Sequence, residues 1–531
     1  MSDAAPPTPA VSWRVYVATV GVFLGAGIVS LSQRLLSVGL PDLRGALGLG
    51  FDEAAWIPTA CNTAIMFMGP FSVFFGARLG RRKVLLGAGA IFTLASILLP
   101  FSPNLRTLLV LQVIAGLSSG TFYPLSLSYA LSNLPIRYAI YAIGAYSMEL
   151  LSTLSLGTPL EAWLVDHLSW RWMFWTSAAL VPIMMVFIHI GFPRQPASNV
   201  PRSLAHWRGF LFMSLGLASI YAVLEQGERL NWLESGTIVA LLAMGAFLLA
   251  VAAFFRWRSP NPYVNLGYLL DRNTLILGYG LFTLRFVLLS VLVLVPGYLG
   301  AVQGYRPLET GRVLLWLAPV VLLFGFLGAN VMRAVDNRLV AALAFATVAA
   351  ACLLDARIDS DWAQNEFFAP QLVVAAGLAF AFVAQIGLIA QQAIDSGALS
   401  SPVNVMTYGA FLQTIRILGG QAGVALLQRF ITLRSRFHTS MLGASVQAGS
   451  FLTDDHLRAL TGDLAGGLST TDELQARVSA SVAGQVSRQV ATLSYQDGFV
   501  LVASACAVMI LLFALLRPMK MYFAAKLAAQ Q

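Results

Sequence analysis

The chain has 531 residues, of which 58% are hydrophobic and only 11% charged, less than half the charged share of an average soluble domain. Such a composition excludes a water-facing surface over most of the polypeptide. The formal net charge of +9 gathers in alternate loops instead of along one face, which excludes a nucleic-acid binder.

Apolar stretches set the organisation, each crossing of the hydrocarbon needing roughly twenty residues. Residues 1–12 are Pro- and Ala-rich with one acid, Asp3, and no basic n-region, so they read as a cytoplasmic tail and not a cleaved signal. The first six spans run about Trp13–Leu36, Ala54–Phe75, Val84–Pro100, Leu105–Ala130, Tyr138–Leu160 and Trp170–Ile190, giving a first bundle over residues 13–195. Two more, about Leu211–Leu224 and Thr237–Phe255, form a linker pair within 196–260. A second bundle takes 261–433 and 498–517, through spans near Leu275–Val295, Leu314–Val331, Leu339–Leu354, Leu372–Ala390, Val403–Phe430 and Phe499–Leu516. The expected fold is all-α and polytopic: two six-helix bundles plus two additional helices, about fourteen transmembrane helices, closed by a cytoplasmic tail over 518–531.

Lysine and arginine bias orients these spans. One set of loops carries Arg78, Arg81, Arg82 and Lys83, then Arg137, then Arg194, Arg202 and Arg208, then Arg256, Arg258 and Arg272, then Arg333 and Arg338. The opposite set mixes basic residues with acids, as in Asp42, Arg44, Asp52 and Glu53, or Asp355, Arg357, Asp359 and Asp361. Both termini are therefore expected in the cytoplasm. Residues 434–497, on the outer side, are too long for a simple connector. Thr470 and Glu473 make a capping box there before the amphipathic run Leu474–Leu493, predicting at least one helix.

Specific motifs lie on this frame. Gly76-Ala77-Arg78-Leu79-Gly80-Arg81-Arg82-Lys83 follows the second span, with a remnant at Arg333, Asp336 and Arg338 in the second bundle. Gly157-Thr158-Pro159 ends the fifth span and precedes Trp170-Arg171-Trp172-Met173-Phe174. Leu224-Glu225-Gln226-Gly227-Glu228-Arg229-Leu230-Asn231-Trp232 follows the seventh, and Arg416-Ile417-Leu418-Gly419-Gly420-Gln421-Ala422-Gly423-Val424-Ala425 lies in the thirteenth. Together they resemble the major facilitator superfamily, and within it the fourteen-helix drug/proton antiporter branch of the EmrB/QacA type. The resemblance covers nearly the whole chain.

It implies a secondary transporter of the bacterial inner membrane that exports small amphiphilic compounds against a proton gradient, with no cofactor. In such a family Gly76, Arg78, Gly80, Arg81 and Arg82 form a cytoplasmic latch, and Gly157 and Pro159 shape the helix that seals the outer half. The latch acid is replaced by Ala77 here. The first-span acid of the family is also missing, Ser32-Gln33-Arg34 standing there, and the fourth span has Gln112 where a buried arginine is usual and Ala115 where a glutamine is common. In Gram-negative hosts the resemblance further implies a periplasmic adaptor and an outer-membrane channel, for which residues 434–497 are a plausible contact.

Ionisable groups at bilayer depth cost several kcal/mol unless paired or wet, so Arg34, Glu149, Arg285 and Arg416 are functional candidates. Burial raises a carboxylate's proton affinity and a nearby cation lowers it, which is what a proton carrier needs as access alternates. Glu149 is the one acid expected near the midplane; it is read as the carrier, with Arg34 facing it as partner or anion anchor, against the alternative of a buried structural pair. Gln33, Gln112, Gln385 and Gln413 supply amides, and Phe122, Tyr123, Tyr146 and Met148 supply aromatic and soft walls. Of these, Gln33, Gln112, Tyr123 and Tyr146 join Arg34 and Arg416 as substrate-binding candidates; for Arg416 a hydrogen-bonding hub is the competing reading.

An excess of intramembrane arginines favours anionic or neutral amphiphiles over organic cations. Cys61, Cys352 and Cys506 each lie in apolar runs, and the histidines are scattered, so neither disulfides nor metal sites are expected. No Gly-x-x-x-x-Gly-Lys-Ser/Thr loop occurs, which disfavours primary pumping, and no nucleophile, base and orienting group converge for an enzyme. Proton-independent or inward movement of an organic anion stays open, as does a transporter-like sensor or assembly partner that binds without moving its ligand.

Overall fold

The computed structural model describes residues 13–125, 129, 136–192, 207–258, 270–332, 334–396, 408, 411–446, 451–464 and 471–517, without the side chains of 73, 77, 136–144, 146, 147, 150, 307, 308, 451, 452, 456, 463, 464 and 471. Both expected tails, the stretch 193–206 with Arg194 and Arg202, Arg333 and Thr470 lie outside the described residues, as do the side chains of Arg137 and Tyr146.

Helix dominates because hydrocarbon leaves each backbone N–H and C=O to be satisfied within its own segment. The first bundle comprises α1 (Trp13–Val38), the short α2 (Leu40–Leu47), α3 (Phe51–Leu79), α4 (Arg81–Leu98), α5 (Leu105–Ser119), α6 (Ile136–His167) and α7 (Trp172–Gly191). A hairpin follows, α8 (Trp207–Gln226) and α9 (Gly236–Arg258). The second bundle comprises α10 (Arg272–Gln303), α11 (Pro307–Leu315), α12 (Leu317–Val331), α13 (Asn337–Asp355), α14 (Gln364–Asp395), α15 (Gly420–Ser445) and α17 (Thr471–Ala514), with α16 (Phe451–Leu464) between the last two. Among the described residues, eleven helices are long and apolar enough to cross a membrane. Helices α3, α6 and α15 have 29, 32 and 26 residues, and their status as further spans stays an expectation.

Each bundle has its own apolar core. Ile28, Leu35, Ile57, Phe92, Phe122 and Val181 belong to the first, while Leu284, Val291, Phe345, Phe382, Phe499 and Met509 belong to the second. Helix α6 joins them: its Leu151 and Leu154 are buried in the second core, and it packs against α11, α12 and α14. On the other flank, α8 packs against both α3 and α15, so the linker hairpin sits in the crevice between the bundles.

The stretch 434–497 is largely helical. Helix α17 has 44 residues, about 66 Å at 1.5 Å per residue against a hydrocarbon core of about 30 Å. Its first half therefore projects beyond any span, beside the end of α15 and α16. Arg434 Nε donates to Asp497 Oδ2 at 2.6 Å, and His438 Nε2 lies 2.7 Å from the same oxygen, fastening this extension at its base. Val446, Leu457, Val482, Val486 and Val490 line a cavity of about 660 Å³ within it.

Candidate transport site

Helices α1 and α6 run in parallel register, and close approach sets that register. A Cβ at Gly27 would meet Glu149 Oε1 at 2.6 Å, one at Gly157 would overlap the Arg34 stem, and one at Gly39 would lie 2.5 Å from Glu161 Oε1. Gly157, in the exporter-like signature, is thus required because the Arg34 methylenes cross the α6 backbone where any side chain would stand. Arg34 Nη2 donates to Thr158 Oγ1 at 2.8 Å, while its Nε is buried without a hydrogen bond.

That register separates the two charges expected to face each other. Positions 27 and 34 are seven residues apart on α1, about 10 Å along the axis. Glu149 instead accepts from Thr153 Oγ1 at 3.2 Å through Oε1, and its Oε2 is buried without a hydrogen bond. Among the described residues no hydrogen bond or ion pair joins Arg34 to Glu149. The cation acting on Glu149 electrostatically is Arg416, from the second bundle.

Arg416 lies on a single π-helical turn, Ile415–Gly419, a distortion that recurs at functional sites. It is 7% exposed, donates Nε to Gln413 Oε1 at 3.0 Å, and sets its guanidinium 4.1 Å from the ring centroid of Tyr123. Tyr123 belongs to the first bundle, in the helical turn after α5, and clusters with Ala26 and Phe23. One layer of the molecule thus brings together Glu149, Tyr123, Gln413 and Arg416 from both bundles. A desolvated guanidinium over an aromatic face contributes about 2 kcal/mol.

The remaining candidates divide. Gln33 lies off this layer and donates Nε2 to Asn62 Oδ1 at 2.9 Å. Gln112 is 2% exposed with its Nε2 unbonded, whereas Gln385 holds the Leu277 carbonyl at 2.8 Å inside the second bundle. Phe122 packs on Phe92 in the first core, and Met148 lies where α6 meets Gly325 of α12. Arg285, at the flank of α10, acts on Tyr221 of α8.

The motif residues have structural work of their own. Gly80 turns the chain from α3 to α4 at φ +85°, a conformation L side chains rarely adopt. A Cβ on Gly76 would press on Leu125, and exposed Arg78 lies over the Phe74 ring. Arg82 donates to the His189 carbonyl at 2.8 Å and Arg81 lies beside Tyr129, both partners in the first bundle. In the second bundle, Asp336 caps α13 and Arg338 donates to the Leu516 carbonyl at 3.4 Å. Pro159 meets Gly311 of α11 so closely that a Cβ there would sit 3.1 Å from the proline Cα, which makes this part of the signature a contact between bundles.

Sequence reading missed three acids, the first being Glu161, one residue beyond the fifth apolar run yet 1% exposed on α6 with Oε1 unbonded. Glu225 read as a loop residue because the apolar run ends at Leu224, yet it is in the last turn of α8 and bonded to α3. Asp355 also read as a loop residue, yet it ends α13 fully buried, accepting from Gln371 at 2.8 Å. A helix pattern carried one turn further would have found all three.

Two bundles joined by α6, a guanidinium of one lying over an aromatic ring of the other, and many apolar helices define a polytopic carrier and not an enzyme. The chain belongs to the Major Facilitator Superfamily, whose profile matches residues 22–420, and it is a multi-pass membrane transporter. It is 25% identical to the probable multidrug resistance protein EmrY of Escherichia coli K12 over 340 residues, 64% of this chain and 66% of EmrY. It is 23% identical to the fatty acid resistance protein FarB of Neisseria gonorrhoeae over 438 residues, 81% of this chain and 82% of FarB. The alignment with the E. coli K12 multidrug export protein EmrB, at 24% identity, spans 56% of this chain and 58% of EmrB. In fold, it superposes on the human organic anion transporter MFSD10 with a TM-score of 0.52 at 13% identity, covering 94% of this chain and all of that one. The proton:xylose symporter XylE gives 0.53 at 10% identity, covering 93% and 95%.

Proposed function

We propose that this protein exports amphiphilic organic anions across the bacterial inner membrane by proton antiport, the two bundles rocking about the layer of Glu149, Tyr123 and Arg416. The observation that carries this reading is Arg416: a cation of the second bundle lies over Tyr123 of the first and acts on Glu149, so the layer changes whenever the bundles move. In this reading Glu149 carries the proton, and Arg416 holds the substrate's anionic head when not engaged by the ionised carboxylate. Arg34 sits nearer the outside and serves as a second anchor for an anion, not as the partner of Glu149. Both termini are cytoplasmic, the Gly80 loop faces inward, and the helical extension over 434–497 faces the periplasm, where an adaptor leading to an outer-membrane channel would dock.

The name of FarB supports fatty acids as a first substrate to test. Reconstituted into vesicles with the Gly80 loop outward, the chain should accumulate oleate when the lumen is acidified, and stop when the pH gradient is collapsed. Glu149→Gln should weaken the gradient's effect; unchanged coupling would remove Glu149 from the carrier role.

A further inference from the structure

The crevice filled by α8 holds a polar node apart from the central layer. Glu225 Oε1 accepts from Asn62 Nδ2 of α3 at 3.0 Å, and Asn62 Oδ1 accepts from Gln33 Nε2 of α1 at 2.9 Å. Its second oxygen, Oε2, is buried without a hydrogen bond. Next to it, Gln226 Nε2 donates to the Ala55 carbonyl at 2.9 Å and to Thr59 Oγ1, tying the end of α8 to the first bundle.

The charged and titratable neighbours are accounted for on each packed element. Arg229 is engaged by Asp52, by Gln226 Oε1 at 2.6 Å and by the Trp56 ring. Glu228 accepts from Trp232 Nε1 at 2.8 Å and faces Arg429 of α15 at 4.0 Å. Cys61 of α3 and Tyr221 of α8 are the titratable groups beside the carboxyl; Tyr221 donates to Gln421 of α15 at 3.4 Å and feels Arg285 of α10. Among the described residues no cation pairs with Glu225. A half-buried carboxylate whose inner oxygen has no hydrogen bond and no counter-charge is disfavoured as an anion, and adding a proton to that oxygen removes the cost.

We propose that Glu225 is a second proton-binding carboxyl of the transport cycle, placed on the linker hairpin and coupled through Asn62 to Gln33 of α1. A proton adds to Oε2, and the Asn62 bond falls from charge-assisted to neutral, roughly halving its strength. The amide chain then releases Gln33, and a hairpin lodged against α15 as well as α3 passes the charge state of one bundle to the crevice that opens during rocking. For its role in transport this rests on the proton-antiport reading above. The binding of the proton itself does not.

The test therefore reads protonation directly. Infrared difference spectra of the purified full-length protein, titrated from about pH 5 to about pH 9, should show a buried carboxylic C=O band. Glu225→Gln should remove one component of it, Glu225→Asp should move that component, and Asn62→Leu should shift it with the acid still present. A titrating band identical in wild type, Glu225→Gln and Asn62→Leu overturns the proposal, as does an absence of any titrating component assignable to residue 225. In oleate-loaded vesicles Glu225→Gln should lower the proton-to-oleate ratio by one while gradient-driven flux persists. If wild type fails to move oleate but the infrared component is lost in Glu225→Gln, the transport reading fails and the proton site stands.

Discussion

The two bundles handle buried polarity differently. In the first, Arg34, Glu149, Glu161 and Gln112 each keep at least one buried polar atom without a hydrogen bond, stacked along the α1/α6 contact or set on α5. Around Phe345, Phe382 and Phe499 the second is apolar, and its unbonded buried atoms include those on Asp355, Gln371 and Gln385, groups that also make structural bonds, Gln371 to Asp355 and Gln385 to the Leu277 carbonyl, each at 2.8 Å. Unsatisfied groups are expensive in hydrocarbon; in the first bundle most follow the contact between two helices, and in the second these three sit beside structural hydrogen bonds. The second bundle presents one cation, Arg416, to the first, over the Tyr123 ring.

The comparison breaks first at Gly157. Alanine there overlaps the Arg34 methylenes, so Gly157→Ala should cost about 1–3 kcal/mol by overpacking and lower the melting temperature of the detergent-solubilised protein. Adding Arg34→Ala should recover part of that loss; no recovery would mean that the α1/α6 contact is not set by Arg34. Gly27→Ala pushes only on the tip of Glu149, so it should leave stability nearly unchanged and alter the pH dependence of flux.

Next comes the contact of Arg416 with Tyr123. Tyr123→Leu removes a cation–π interaction of about 0.5–2 kcal/mol, a change of roughly two- to thirtyfold in the affinity of an anionic ligand, measured by quenching or calorimetry. Arg416→Lys should restore less than a full guanidinium does, because a point charge loses both the stacking and the directed bond to Gln413. The smallest effect is expected outside the membrane. Asp497→Asn weakens a partly exposed cluster with Arg434 and His438, worth about 1 kcal/mol or less, and should leave vesicle flux unchanged.

Much of this was legible from hydropathy, because a span advertises itself by length alone and a signature such as Gly157-Thr158-Pro159 by composition. Which side chains face one another was not. Rotation of each helix decides it, and Arg34 and Glu149, both half-buried, end about two turns apart. Glu161, Glu225 and Asp355 were missed because an apolar run stops at its first polar residue while the helix continues. The extension over 434–497 was underestimated for the converse reason: a polar helix outside the bilayer carries too little hydrophobic periodicity to show most of its length, although Leu474–Leu493 did appear and lies within α17.

The most direct test is substrate-dependent proton movement across the vesicle membrane, followed with a trapped pH dye, comparing Glu149→Gln with Arg34→Gln. The central layer predicts that Glu149→Gln lowers the number of protons moved per oleate while Arg34→Gln reduces oleate affinity and leaves the flux per oleate intact. Equal loss of coupling in both variants, or none in Glu149→Gln, would contradict the separation of these charges into two sites.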